Sequence, residues 1–362
     1  MTDIKADVEA SLQTFIDPNN GVDLVTAKSV KAISIDGANV LVKLELGYPA
    51  RSYIEELKTA VVEHLQDVPG IGNVVVEVAV KIVSHAVQQG LKPLPNVKNI
   101  VAVASGKGGV GKSTTAVNLA LALAAEGASV GILDADIYGP SIPTMLGLSG
   151  FPESKDNKTM QPKISFGIQT NSIGYLVEAD QAVIWRGPMV TGALQQLLKD
   201  TNWTDLDYLI IDLPPGTGDI QLTLAQQIPV SGAVIVTTPQ DIALLDAQRG
   251  LAMFEKVNVP VLGLVENMSI HICSNCGHEE AIFGQGGGQA MAERNRIELL
   301  GSLPLDISIR QNADSGRPTV AADPDGRPAQ IYKQIARKTA AKLALKGKDF
   351  STKFPNIVVQ NS

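Results

Sequence analysis

The chain has 362 residues, of which 44% are hydrophobic and 19% charged, a composition typical of a globular protein of about two domains. Its net charge of −7 argues against a protein that binds nucleic acid through a basic surface. The N-terminus is polar and acidic, and no apolar run approaches the roughly 18 residues that suggest a membrane span. We therefore expect a cytoplasmic protein with neither nucleic acid nor a membrane as its partner.

Residues 1–90 are predicted to form a small α+β domain. Helical patterns cover residues 3–16 and 51–66, and strand-like runs cover residues 30–35, 39–46 and 74–82. The Asp36-Gly37 pair between two apolar runs predicts a hairpin. Residues 91–97 hold two prolines and are expected to be a linker, because proline continues neither a helix nor a central strand.

Residues 98–346 are predicted to form a second, larger domain. Apolar runs at residues 100–104, 129–133, 208–211, 233–237, 261–265 and 299–303 are the predicted strands. The predicted helices cover residues 113–125, 187–199, 242–257, 288–294 and 329–346. This alternation predicts an α/β fold, a mostly parallel sheet with helices on both faces. Residues 152–163 are expected to be a surface insertion, and residues 347–362 a C-terminal tail.

Residues 106–113 fit G-x-x-x-x-G-K-[ST] at every fixed position, between a predicted strand and a predicted helix. Glycines let successive backbone N–H groups surround phosphate oxygens, and the helix N-terminus adds a partial positive charge. We expect Lys112 to contact the β- and γ-phosphates and the Ser113 hydroxyl to bind Mg²⁺. The sequence therefore predicts a site for a nucleoside triphosphate.

Three aspartates follow predicted buried strands: Asp134 and Asp136 after one strand, and Asp212 after another. Ligands of open α/β sheets bind at the carboxyl ends of the strands, so these carboxylates are candidates for the metal and for the hydrolytic chemistry. A strand-end aspartate can also cap the following helix. Residues 216–219 look like a switch II segment, in which Gly216 and Gly218 would supply a hinge that can respond to the γ-phosphate.

Cys273 and Cys276, the two cysteines of the chain, form a C-x-x-C pair. Such a pair supplies two of the four ligands that a [4Fe–4S] cluster or a structural zinc ion takes, and a symmetric dimer would supply four. His271 and His278 flank the pair, so zinc bound within one chain is an alternative. A thioredoxin-like redox pair fits poorly, because its motif should open a helix.

The string from Lys107 to Thr114 resembles the deviant phosphate loop of the MinD/ParA/nitrogenase-iron-protein class. The resemblance implies that Lys107 crosses a dimer interface to the partner's phosphates and that Asp136 orients the attacking water, so Lys107, Lys112 and Asp136 are the predicted catalytic residues. It also implies that Asp212 holds Mg²⁺ through water and that Asp134 supports the metal. The residues predicted to bind the nucleotide are Gly106, Lys107, Gly108, Gly109, Val110, Gly111, Lys112, Ser113, Thr114, Asn267, Pro304 and Asp306, with Asn267 recognising adenine.

The motifs at residues 105–114, 134–143, 185–189, 212–219 and 266–269, together with the cysteine pair, resemble Mrp/ApbC-type iron–sulfur cluster carrier ATPases over about residues 98–345. Residues 1–90 are similar to the MIP18-type domain often fused ahead of them, although residues 47–51 lack the cysteine of many such domains. The resemblance implies a homodimer that holds a [4Fe–4S] cluster on Cys273 and Cys276 of both subunits. It further implies that ATP binding and hydrolysis control transfer of the cluster to apoproteins.

The alternative is a positioning ATPase of the ParA/MinD kind with a structural zinc knuckle. Such a protein needs a surface that faces DNA or a membrane. The basic residues of the C-terminal segment could form one, and they are Lys333, Arg337, Lys338, Lys342, Lys346 and Lys348. This segment lacks an aromatic-rich apolar face, so we expect a solvated terminal helix instead.

Overall fold

The computed structural model describes residues 4–176, 187–273 and 275–347, without the side chains of residues 187 and 188. Trp185 and Arg186 of the motif at residues 185–189, and Lys348 with the rest of the predicted tail beyond Gly347, lie outside the described residues. Residues 91–96 of the predicted linker form neither helix nor strand, and the strand that opens the second domain already begins at Val97.

The N-terminal domain is a small sheet with two helices against it. Its elements are α1 (Ile4–Leu12), β1 (Ile16–Asp17), β2 (Val22–Asp23), β3 (Val30–Asp36), β4 (Asn39–Leu46), α2 (Ile54–Leu65) and β5 (Val74–Val80). β4 is central, antiparallel to β3 and parallel to β5. Alternate residues of β4, from Val40 to Leu46, are buried, as expected for a strand with one face covered.

The predicted hairpin is confirmed, since Asp36 pairs with Asn39 across a turn in which Gly37 has φ +59°. The strand predicted over residues 39–46 is observed with those bounds. The helix predicted over residues 3–16 was wrong at its end, because the chain leaves α1 at Leu12 and Ile16 then pairs with Asp23.

The second domain is built on a central sheet flanked by helices. Its first elements are β6 (Val97–Ala104), α3 (Lys112–Ala125), β7 (Val130–Asp134), α4 (Ile142–Met145), β8 (Lys163–Ser165), β9 (Ile168–Ser172), a 3₁₀ turn (Ile173–Tyr175), α5 (Gly187–Asp200) and β10 (Leu206–Asp212). They are followed by α6 (Asp219–Gln227), β11 (Gly232–Thr237), α7 (Asp241–Lys256), β12 (Val261–Glu266), β13 (His271–Ile272), β14 (Glu279–Glu280), α8 (Gly287–Asn295), β15 (Leu299–Ser302), α9 (Ile307–Asp314), α10 (Thr319–Ala322) and α11 (Arg327–Ala344).

Within the described ranges the central sheet has the strand order β15-β12-β11-β6-β10-β7-β9-β8. Every pair is parallel except β8 with β9 at one edge, so the predicted mostly parallel α/β sheet is confirmed. β7 and β11 are buried at every position, because helices cover both faces. The carboxyl ends of β6, β7 and β10 therefore meet at one edge of the sheet.

Some elements differ from the prediction. The strands β8 and β9 were not predicted, and β8 begins at Lys163, the last residue assigned to the surface insertion. The prediction that the C-terminal helix is solvated was wrong. Arg337 of α11 pairs with buried Glu126, and both Lys338 and Lys342 pair with Glu298. Every helix in the described part of the chain is too short or too polar to cross a bilayer.

Candidate nucleotide and cysteine sites

The glycine-rich loop between β6 and α3 is shaped by close backbone approaches. Gly111, with φ +81°, stands at the N-terminus of α3, and any Cβ there would overlap the amide of Asn267. A Cβ on Gly106 would overlap the backbone of Asp246 in α7. The loop, Asp136 and Pro215 line a cleft of about 220 Å³. These positions accept only glycine, and they place the loop's N–H groups and the α3 N-terminus around that cleft.

Lys112 joins the loop to the strand-end carboxylates. Its Nζ lies 2.5 Å from Asp212 Oδ1 and 3.7 Å from Asp136 Oδ2, and it donates to Ser113 Oγ at 3.2 Å. The other oxygen of Asp212 is buried and has no hydrogen-bond partner among the described residues. Burial raises the pKa of Asp136 above its usual value, and the nearby Lys112 ammonium opposes only part of that rise. The structure thus brings Lys112, Ser113, Asp136 and Asp212 together as predicted from their positions in the chain.

Asp134 is fully buried behind this group. Its Oδ1 accepts from the Asp136 N–H at 3.1 Å, and its Oδ2 accepts from the Ile142 N–H at 3.2 Å and from Ser172 Oγ at 3.0 Å. Burial, and then the nearby charge of Asp212, raise the pKa of Asp134 to about 7. Because protein groups engage both oxygens, Asp134 organises the loop that carries Asp136 in this conformation.

Lys107 lies half-buried on the loop, and its carbonyl accepts from Ser105 Oγ at 2.9 Å. Its ammonium forms no ion pair within the described residues. Lys107 is therefore fixed through its backbone, and its charge is not neutralised by any carboxylate in that part of the chain.

The residues assigned to the base lie at the ends of β12 and β15. Asn267 Nδ2 donates to the Val110 carbonyl of the loop at 2.9 Å, and the Asn267 side-chain oxygen accepts from the Met268 N–H at 3.0 Å. Asp306 caps α9, since its Oδ1 accepts from the Ser308 N–H at 2.8 Å. Pro304 is buried beside it. Asn267 thus contacts the phosphate loop itself, while Asp306 holds the helix that follows.

The cysteine pair lies at the turn of the β13–β14 hairpin. The Cys273 N–H donates to the His278 carbonyl, and the Gly277 N–H to the Cys273 carbonyl, both at 2.9 Å. Backbone N–H groups of Cys276 and Asn275 lower the pKa of the Cys273 thiol, which favours the thiolate that binds metal. Cys276 is exposed. The motif opens no helix, which removes the structural basis for a thioredoxin-like pair.

Within the part of the chain that the structure describes, the two flanking histidines do not complete a metal site with the cysteines. His271 Nδ1 lies 3.1 Å from the Leu305 carbonyl, which ties its ring to the segment after β15. No group of three or more His, Cys, Asp or Glu side chains arranged to hold a metal ion occurs among residues 4–176, 187–273 and 275–347. A single chain therefore offers two thiols at its surface.

The hairpin and the nucleotide loop are connected over a few residues. After Asn267, the Ser269 N–H donates to Leu303 and the Leu305 N–H donates to Ile270, both at 2.9 Å. These bonds hold the segment between β12 and β13 against the end of β15. Asn267 is thus the direct contact between the phosphate loop and the segment that leads to the cysteine hairpin.

Two supporting residues were not predicted from the sequence. Ser172 at the end of β9 binds Asp134, and the rule that strand ends carry site residues would have found it had β9 been predicted. Buried Gln221 of α6 donates its side-chain amide to the Pro214 carbonyl, next to the Asp212 strand end. No sequence pattern distinguishes this glutamine from its neighbours.

Comparisons with known proteins agree with this geometry. The family model described as NUBPL iron-transfer P-loop NTPase matches residues 96–340, and one described as iron-sulfur cluster assembly protein matches residues 5–78. The iron-sulfur cluster carrier protein of Escherichia coli K12 is 53% identical over 345 residues, covering 95% of this chain and 94% of that protein. The mouse iron-sulfur cluster transfer protein NUBPL is 53% identical over 254 residues, covering 70% and 80%.

Solved structures show the same fold. A nucleotide-binding protein from Archaeoglobus fulgidus, solved in complex with ADP, is 39% identical with a TM-score of 0.54 and covers 61% of this chain and 88% of its own. The cell division ATPase MinD of Pyrococcus furiosus is 22% identical with a TM-score of 0.50, covering 66% and 97%, and supports the fold alone. On the match over residues 96–340 and the identity to the carrier proteins, the chain belongs to the family of NUBPL iron-transfer P-loop NTPases.

Proposed function

We propose that this protein is an ATP-dependent iron–sulfur cluster carrier, which binds a [4Fe–4S] cluster across a homodimer and transfers it to apoproteins. The observation that carries the proposal is the position of the Cys273/Cys276 hairpin. The hairpin comes a few residues after Asn267, and the Asn267 side chain is hydrogen-bonded to the phosphate loop. One chain supplies two free thiols, half-buried Cys273 and exposed Cys276, and a cluster takes four. Two hairpins related by a two-fold axis complete the set.

A cluster bound between the two subunits can be released to an apoprotein when the subunits separate. A cluster bridged by two thiolates from each subunit loses half its ligands when the hairpins separate. The names of the carrier and transfer proteins that this chain resembles support this function. We assign the cytoplasm as its place of action.

The nucleotide in this proposal is ATP with Mg²⁺. The buried, unpartnered oxygen of Asp212 and the nearby Ser113 hydroxyl fit a hard cation that takes oxygen ligands. Ser113 would hold the ion directly and Asp212 through water, and Asp134 would support the metal. When bound, Mg²⁺ neutralises the phosphate oxygens on which charge develops.

The chain's own residues supply the remaining chemistry. The loop N–H groups bind the phosphates, Lys112 contacts the β- and γ-phosphates, and Asp136 orients the attacking water. Lys107 reaches the phosphates bound by the partner subunit. We assign residues 1–90 to an α+β domain, 91–96 to a linker, 97–346 to the ATPase, since Val97 already pairs with Leu206 in the central sheet, and 347–362 to a tail.

Anaerobic reconstitution with iron and sulfide tests the proposal. We expect about four irons and four sulfides per dimer, with the visible absorbance of a [4Fe–4S] cluster. Cys273→Ser and Cys276→Ser should each lose the cluster and keep nucleotide affinity, because neither thiol lines the phosphate cleft. The matched control is His278→Ala, which changes the same turn and should keep the cluster.

Two outcomes contradict the proposal. One zinc ion per monomer without sulfide would make the knuckle structural. Full iron and sulfide content in the Cys273→Ser protein would move the cargo away from the hairpin. Transfer itself is measured by adding the loaded protein to an apo-ferredoxin and following the ferredoxin's own spectrum.

A further inference from the structure

The N-terminal domain is docked onto the far end of the helix that begins at the nucleotide loop. α3 starts at Lys112, and its C-terminal cap is Glu126. A helix of its length spans about 21 Å. Glu126 is 2% exposed, and the polar partners of its carboxylate within the described ranges are Ser52 of the N-terminal domain and Arg337 of α11.

Ser52, just before α2, provides the contacts from the N-terminal domain. Its N–H donates to Glu126 Oε2 at 2.8 Å and its hydroxyl to Glu126 Oε1 at 2.5 Å. The Arg51 N–H donates to the Glu126 backbone carbonyl at 3.1 Å. Three donors of one short segment therefore converge on the cap residue of α3.

Arg337 of α11 completes the group. Its Nη1 lies 2.7 Å from Glu126 Oε1 and 2.7 Å from Ser52 Oγ, and its guanidinium stands 5.7 Å from the centre of the Tyr53 ring. We name Ser52, Glu126 and Arg337 the clamp. A buried carboxylate that loses one such partner is strongly destabilised, so the clamp is sensitive to small displacements of α3.

Other contacts join the same two surfaces. Lys342 Nζ donates to the Asn20 carbonyl at 2.7 Å, and the Ala86 N–H donates to the Gly347 carbonyl at 2.9 Å. Buried apolar residues of α2 and β4 belong to one continuous core cluster with those of α3 and α11. The N-terminal domain is thus packed on the ATPase, with the end of α3 inside the contact.

We propose that α3 couples the nucleotide site to the docking of the N-terminal domain, with the clamp as the joint. Residues at both ends of one rigid helix make polar contacts: Lys112 with Asp212 at the first turn, and Glu126 with Ser52 at the cap. If nucleotide bound at the first turn shifts α3 along its axis, the distances from Glu126 to Ser52 and Arg337 change at the other end of the helix. The inference depends on nucleotide binding by this family and is independent of cluster transfer.

Ser52→Asp tests the coupling from the N-terminal domain alone. It sets a second carboxylate against Glu126, whereas an acidic residue before the N-terminus of α2 suits that helix. Thr59→Asp is the matched control, because Thr59 is exposed on α2 and bonds only within that helix, to Glu55. Circular dichroism spectra should be the same for both variants and the parent protein.

Two measurements show whether docking of the N-terminal domain and nucleotide binding are coupled. Amide hydrogen exchange at residues 51 and 52 reports docking, and titration with ADP reports nucleotide affinity. We expect Ser52→Asp to speed exchange and to change the Kd for ADP by at least about fivefold, with no change in Thr59→Asp. Since coupling is reciprocal, saturating ADP should change exchange at residues 51 and 52 of the parent protein.

Either of two results overturns the proposal. If Ser52→Asp speeds exchange at residues 51 and 52 but leaves the Kd for ADP unchanged, docking and nucleotide binding are independent. If exchange there does not change in Ser52→Asp, the clamp does not hold the domain. A failure of cluster reconstitution affects neither measurement, so this test is separate from the test of the proposed function.

Discussion

Lys112 has two roles that a substitution will affect differently. It is the residue proposed to contact the β- and γ-phosphates, and it is also the charged partner of fully buried Asp212. Removing one member of a buried pair leaves an uncompensated charge, which typically costs about 3–5 kcal/mol. Binding and stability are therefore linked at this residue.

We expect Lys112→Ala to abolish measurable ATP binding and to lower the free energy of unfolding by about 3–5 kcal/mol. The double variant Lys112→Ala/Asp212→Asn should recover much of the stability, because the buried charge is gone, and still fail to bind. Urea unfolding and calorimetric titration check both statements. Near-native ATP affinity in Lys112→Ala would contradict the assignment of the loop.

Asp134 makes the stability of the nucleotide-free protein dependent on pH. Burial and the charge of Asp212 raise its pKa to about 7 in the folded state. Between pH 4 and 7 the folded protein thus keeps a proton that the unfolded chain has lost, so this residue's contribution to stability falls as pH rises through that window.

The substitution Asp134→Asn should remove this dependence. From pH 5 to pH 7, the parent protein should lose on the order of 2 kcal/mol more unfolding free energy than the variant. The asparagine also loses an acceptor for the Ile142 N–H, which lowers stability equally at all pH values. Urea unfolding at several pH values, without nucleotide or Mg²⁺, gives the slopes. Equal slopes would show that Asp134 ionises normally in the folded protein.

At the scale of elements, the loop and α7 pack so closely that a methyl group does not fit. A Cβ on Gly106 would overlap the Asp246 backbone, which cannot rotate away as a side chain would. We expect Gly106→Ala to destabilise the fold by about 1–3 kcal/mol. Gly108→Ala is the control, since the nearest atom to its Cβ would be 4.0 Å away, and thermal unfolding should be nearly unchanged. Equal melting temperatures for both variants would contradict the packing argument.

Elements with a strong hydrophobic pattern were predictable from the sequence, and elements held by specific contacts were not. The buried strands β7 and β11 were predicted to within a residue or two because each is an apolar run up to its last residue. α6 was missed, because Asp219–Gln227 is rich in glutamine and only three of its residues are buried. For α11 the ends of the helix were predicted to within two residues, but its ion pairs were not. The partners of Arg337 and Lys342 come from distant parts of the chain.

The residues of the nucleotide site also fall into a group that the sequence predicted and a group that it did not. The loop, its lysine and the strand-end aspartates have a fixed spacing and strand context, so their proximity could be predicted. The position of Asn267 against Val110, and of Ser172 beneath Asp134, depends on how separate strands are ordered in the sheet. A single sequence does not specify that order at residue level.

At the scale of the whole molecule, one sheet edge and one helix connect the three functional parts. Asn267 joins the nucleotide loop to the cysteine hairpin, and α3 joins the loop to the docked N-terminal domain. Each connection begins within the segment from Val110 to Lys112. In the proposed coupling, a change in that segment would reach both the proposed cargo site and the N-terminal domain.

The proposed dimer makes a prediction about mixed subunits. If Lys107 acts on nucleotide bound by the partner, a dimer of one Lys107→Ala and one Lys112→Ala subunit contains one complete site. That site combines the intact Lys112 of the first subunit with the intact Lys107 of the second. An equal mixture of the two inactive variants should then recover up to about one quarter of the parent ATPase activity, since about half the dimers are mixed and each has one working site.

The measurement is ATP turnover of each variant alone and of the mixture after subunit exchange, at a temperature where Lys112→Ala remains folded. A mixture of Lys112→Ala with the double variant Lys107→Ala/Lys112→Ala is the matched control, because no pairing of these subunits provides Lys112. If Lys107 acts within its own subunit, neither site of the mixed dimer is complete and the first mixture is as inactive as the control. The half-buried Lys107, with its charge unmatched by any carboxylate among the described residues, favours action across the interface.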